Sequence, residues 1–85
     1  MKTAWEHVVK AASNLHRQGQ VNLTCQQLKE EALRLGWSGA PSTLTIHITA
    51  HMRADRDAAT RPYLDYLSHN TYRLNDAGRR AAEGL

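Results

Sequence analysis

This sequence has little of most residues that announce a chemistry. One cysteine, Cys25, among 85 residues excludes an internal disulfide and any multi-cysteine zinc site, which fits a reducing, cytoplasmic setting. Phenylalanine is absent, and two Trp and three Tyr are too few for the open aromatic sheet on which single-strand binders stack bases. No apolar run approaches the ~18 residues that span a bilayer, and no charged-then-apolar signal segment opens the chain, so no membrane partner is expected. A glycine-rich phosphate loop, clustered acids for two-metal work and a nucleophile in a recognisable setting are all missing. The expectation is a protein that is not an enzyme and carries no cofactor.

Charge of one sign is also thin. The net charge is +3, with five Lys/Arg against three Asp/Glu in residues 1–42 and six against five in residues 43–85. Any basic face must therefore be made by folding. Eight of the eleven cations are Arg, the side chain whose planar fork fits phosphates and guanine edges, so the lean is towards a polyanion.

What is present is a hydrophobic fraction of 41%, enough for one small domain over residues 1–85. A chain this short buries only about 60–65% of its unfolded surface. Thr3-Ala4-Trp5-Glu6 is a capping box, in which hydroxyl and carboxylate satisfy each other's backbone N–H groups. Behind it Trp5, Val8, Val9, Ala12 and Leu15 recur at helical spacing until Gly19, which predicts a helix from about Ala4 to Gln18. Val21 to Leu23 reads as a short extended piece. Thr24-Cys25-Gln26-Gln27 is a second capping box, and Cys25, Leu28, Ala32 and Leu35 form the stripe of a helix stopped by Gly36. Trp37 to Pro41 is a turn, and Ser42 is the expected N-cap of a third helix over residues 42–56. After Pro62 the period becomes two: Tyr63–Leu67 and Thr71–Leu74 are β-prone, joined by Ser68-His69-Asn70. Asn75 caps a short last helix from Asp76 to about Glu83, and Arg79 and Arg80 are expected mainly to offset the charge of that helix end.

The result is a mainly α domain with a small β-hairpin, in the order α-β-α-α-β-β-α. That order resembles a winged helix-turn-helix domain, with residues 42–56 as recognition helix and residues 63–74 as wing. The likeness sharpens at Tyr72-Arg73-Leu74-Asn75-Asp76-Ala77-Gly78-Arg79, which is similar to the segment closing the wing in many winged-helix transcription regulators. Asn75 stands where Thr or Ser is commoner, and it can cap equally well. More loosely, Trp5-Glu6-His7-Val8-Val9, Ser42-Thr43 before an Ile-rich helix, and the Tyr-x-Leu ending resemble an uncharacterised winged-helix domain type attached to restriction nucleases. The resemblance implies sequence-specific binding of double-stranded DNA, by a transcriptional regulator or a DNA-reading module of a larger system. The alternatives are a protein-interaction adaptor, or the accessory domain of a restriction or other DNA-modifying nuclease. A homodimer or a larger protein partner is compatible with either.

Within STLTIHITAHMR, Leu44, Ile48 and Met52 are spaced by four and should face the core. The opposite side carries Thr45, Thr49, Arg53 and Arg56, with Ile46 beside it. One face pinned by packing and the other bearing short polar or methyl groups is what a recognition helix needs. Ser42 and Thr43 lie at its start, where backbone N–H groups favour anions, and Lys2 is a further phosphate candidate. His47 flanks the reading face, while His51 belongs to the core edge. In the wing, His69, Asn70 and Arg73 are the expected contacts, since Arg suits the negative minor groove. A metal is not expected. His47 and His51 are four apart, but Ile48 stands where a metalloprotease needs Glu, and Cys25, Asp55 and His69 offer no ligand spacing. Trp5 is assigned to the core, Trp37 to the turn, and Cys25 is read as an inert thiol.

Overall fold

The computed structural model describes residues 3–85; Lys2 lies outside them. Helix α1 spans Ala4–Arg17, and its capping box is formed as the sequence requires, with Glu6 N donating to Thr3 Oγ1 at 3.4 Å and Thr3 N to Glu6 Oε1 at 3.2 Å. Gly19 takes a φ of +92°, and Gln20 N reaches back to Leu15 O at 3.0 Å, which closes the helix. Strand β1 is only Leu23–Thr24. Thr24 then serves twice, since its hydroxyl accepts from Gln27 N at 3.1 Å to open helix α2, Cys25–Arg34. Gly36, at φ +104°, ends that helix, with Trp37 N donating to Ala32 O at 3.1 Å. Helices α1 and α2 pack through Val8, Val9, Ala12, Leu28 and Ala32, and buried Glu31 of α2 accepts a hydrogen bond from Asn14 of α1 at 3.4 Å.

The turn before the third helix is built around Trp37. Its indole Nε1 donates to Ala40 O at 3.4 Å, and a Cβ on Gly39 would lie 2.5 Å from the ring, so only glycine fits beneath it. Helix α3, Pro41–Ile46, opens on Ala40 rather than Ser42. Proline at the first helical position has a suitable φ and no N–H to leave orphaned, and this outweighs the hydroxyl of Ser42. Helix α3 then widens into a π-helical turn, His47–His51, marked by Met52 N donating to His47 O at 2.8 Å, and it stops there, five residues short of the expected end. The widening has a packing consequence. Residues four apart in an α-helix drift by about 40° round the axis; a wider turn takes that drift back. Leu44, Ile48 and Met52 consequently all point inward, and all are fully buried.

Leu64 stops the helix. Its N–H donates to Met52 O at 2.9 Å, and its carbonyl accepts from Ala54 N at 2.8 Å, pairing Arg53 with Leu64 in a parallel bridge. Strands β2, Leu64–Ser68, and β3, Thr71–Leu74, form an antiparallel hairpin, and β1 pairs with β3 to give the sheet order β1-β3-β2. Tyr63 lies just outside β2. Leu67 is left unpaired by a bulge between the Tyr66–Tyr72 and Ser68–Thr71 pairs. At the tip, Asn70 adopts φ +57°, a conformation Asn tolerates better than most residues. Helix α4, Asp76–Glu83, is capped by Asn75, whose Oδ1 accepts from Gly78 N at 2.9 Å. Gly78 is pressed against Leu74 and the Tyr63 carbonyl, where a Cβ would lie 2.5 Å from that oxygen.

The described residues thus form a small α/β domain of four α-helices and a three-stranded antiparallel sheet around one core. Among the described residues, no helix is long and apolar enough to cross a membrane.

Candidate functional site

With Leu44, Ile48 and Met52 buried, the other side of α3 is left outward. Ser42 and Ile46 are exposed, Ile46 at 52%, while Thr43, Thr45 and Thr49 are half-buried. The two central threonines turn their hydroxyls back on the helix. Thr45 Oγ1 donates to Pro41 O at 3.4 Å and Thr49 Oγ1 to Thr45 O at 2.7 Å. Each hydroxyl proton is thereby used, and the oxygen lone pairs remain as acceptors. Such back-bonding also loosens the backbone ladder locally, which suits the wide turn that follows.

The hairpin tip is tied to the start of α2. Asn70 Oδ1 accepts from Cys25 N at 3.3 Å, giving the hairpin tip one of the orphan N–H groups of α2. Burial pushes the Cys25 thiol up, against smaller opposing effects of Lys29 and Thr45, so it stays protonated and weakly nucleophilic.

Arg53 is the largest departure from the expected layout. It sits past the helix end, only 15% of its side chain is exposed, and its guanidinium lies 3.8 Å from the centroid of the Tyr66 ring. Its Nε and Nη2 donate to the two carboxylate oxygens of Asp55, at 3.0 and 2.6 Å. Tyr66 in turn packs edge-on against Tyr72 at 5.5 Å. Arg56 is exposed in the following loop, off the helix altogether.

Other expected contacts are dispersed. Arg73 lies on the sheet face opposite buried Tyr72 and pairs with Asp65 at 3.5 Å, lining a 390 Å³ cavity with His16 and Val21 rather than the ridge. His69 is exposed at the hairpin tip. His47 is turned towards His51, with ring centroids 5.2 Å apart, and its Nδ1 is buried with no hydrogen-bond partner. Burial first, then His51 and Arg61, hold its pKa below the usual histidine range, so it is neutral near pH 7 and lacks the charge for a phosphate contact. His51 is half-buried at the core edge. Arg79 pairs with Asp76 and donates to Leu74 O at 3.1 Å, while Arg80 is exposed in the last turn of α4. Among the described residues, no three His, Cys, Asp or Glu side chains gather where they could hold a metal ion.

Thr45, Ile46 and Thr49 therefore share the outer side of α3 and its π turn, Asn70 is joined to the start of α2, and Arg53 is held by Asp55 and Tyr66, with Arg73, Arg56 and His47 set apart. Sequence reasoning missed one participant, Tyr66, which carried no signal beyond strand alternation. The chain matches no protein-family model, no curated protein and no solved structure.

Proposed function

We propose that this domain is a winged helix-turn-helix module that binds duplex DNA, working as a regulator or as the DNA-reading part of a larger system. The carrying observation is the orientation of α3, in which the burial of Leu44, Ile48 and Met52 leaves Thr45, Ile46 and Thr49 on the outer side. The element order and the sheet order β1-β3-β2 support the winged arrangement. In this reading α3 enters the major groove, threonine oxygens accept from base amino groups, and Ile46 meets thymine methyls. His69 and Asn70, at the hairpin tip, lie next to the same groove, and exposed Arg56 contacts the backbone. Phosphate contacts set the register, and the ridge reads sequence.

Selection of bound duplexes from a random pool, followed by titration of the winner, tests the proposal. With about four to six phosphates neutralised, log affinity falls against log salt with a slope of roughly −4 to −5. Substituting Thr45 or Thr49 changes preference at one base position by about 1–3 kcal/mol per contact. A slope near zero, or variants that bind every sequence as the parent does, sinks the reading. The exposure of Ile46 favours one competitor, a protein-docking face, and chemical-shift changes confined to Ile46 on adding a protein partner and absent with duplex would select it.

A further inference from the structure

The Arg53–Asp55 pair has a geometry with a direct bearing on polyanion binding. The side-on edge of the guanidinium, Nε and Nη2, is the edge that holds a phosphate or a carboxylate through two parallel bonds. Asp55 occupies it with both oxygens, at 3.0 and 2.6 Å. One face of the same group is covered by Tyr66 at 3.8 Å. Arg53 is therefore held in place but satisfied, and a phosphate approaching that edge meets a carboxylate already seated there. Asp55 is the wetter partner, with 48% of its side chain exposed against 15% for Arg53, so water can take up the carboxylate as it leaves. Tyr66 keeps the guanidinium where it is while the carboxylate leaves.

We infer that Asp55 is an internal phosphate mimic, a built-in competitor that keeps Arg53 off the DNA backbone and limits indiscriminate binding to polyanions. The inference rests on the DNA-binding reading above and deepens it by naming the residue that restrains the interface. It also explains how an arginine beside the reading ridge coexists with a modest net charge of +3.

The test measures binding of a labelled random-sequence duplex between about 50 and 200 mM salt for the parent and four variants. Asp55→Asn removes the competitor and should bind about five- to tenfold tighter near 0.1 M salt, with a slope steeper by ~0.9, the value of one added phosphate contact. Asp57→Asn removes the same charge from the same loop without touching the fork, and should change affinity by less than about twofold, consistent with screening of exposed charges. Adding Arg53→Ala to Asp55→Asn should abolish the gain, leaving the pair equal to Arg53→Ala alone. The inference is overturned if Asp55→Asn binds no tighter than the parent, if Asp57→Asn gains as much, or if the gain survives loss of Arg53. A readout independent of DNA is the Arg53 Nε–H resonance, slow to exchange in the free parent and fast in Asp55→Asn. An unchanged resonance removes the closed fork while leaving the DNA reading intact. Absence of duplex binding by every variant, with the resonance behaving as expected, instead removes the DNA reading and this inference with it.

Discussion

Helices α1 and α2 begin alike and end alike, and α3 shares neither end with them. The first two open on a threonine capping box and stop at a glycine with positive φ. Helix α3 opens on Ala40 with no side-chain cap, holds six α-helical residues, and runs out through a π turn. Six residues are far below the ~12–15 at which an isolated helix becomes even marginal in water. Local sequence fixes both ends of α1 and α2; α3 is held from outside, by the core under Leu44, Ile48 and Met52 and by the bridge from Arg53 to Leu64. The element that presents the proposed reading ridge is thus the one whose ends owe least to its own sequence.

This contrast can be broken, and the largest lever is the core. Ile48→Ala should cost about 2–5 kcal/mol in urea unfolding, the range for truncating a fully buried aliphatic side chain. A loss no greater than that of a helix cap would mean α3 is not held by packing. The caps come next. Thr24→Ala should cost ~1 kcal/mol, because it strips the hydroxyl that accepts from Gln27 N, whereas Ser42→Ala should be close to neutral. Equal costs at the two positions would erase the distinction between the helices.

The smallest effect belongs to His47, within the π turn. Its folded-state pKa is held down, by burial first and then by His51 and Arg61. The unfolded chain therefore takes up the proton first as pH falls. Stability from this group is fully present above the ordinary histidine value of about 6.5, is lost as pH falls from there, and stops changing below the folded-state pKa. His47→Gln should flatten that part of the Tm–pH curve relative to the parent. An unaltered slope would show that the π turn does not keep this ring dry.

The same contrast explains what could be read in advance. Both capping boxes, both glycine stops and the inward set Leu44, Ile48 and Met52 depend on neighbours within a turn or two, and such signals are written locally. The end of α3 was not legible. Residues 53–59, Arg-Ala-Asp-Arg-Asp-Ala-Ala, are compatible with a helix, and what stops them is pairing with Leu64, outside that window. Thr45, Thr49 and Ile46 followed from periodicity alone. Arg53 does not continue the helix, as periodicity implied, but lies past its end, stacked on Tyr66. Arg73 lines a cavity with His16 and Val21, which alternation could not tell, since it does not say what adjoins each sheet face. Its partner Asp65 is fixed by the hairpin register. The link from Asn70 to Cys25 spans 45 positions and has no local trace.

The segment between α3 and β2 leaves and returns at one spot, its neck fastened by Ala54 N to Leu64 O, Leu64 N to Met52 O and Arg61 N to His51 O. A loop clasped at its base transmits little of its own length to the body it leaves. Doubling such a loop adds only about 0.6 kcal/mol of closure entropy. Residues 56–60 are therefore where extra chain, even a grafted peptide or a fluorescent reporter, can be accommodated while α3 keeps its seat.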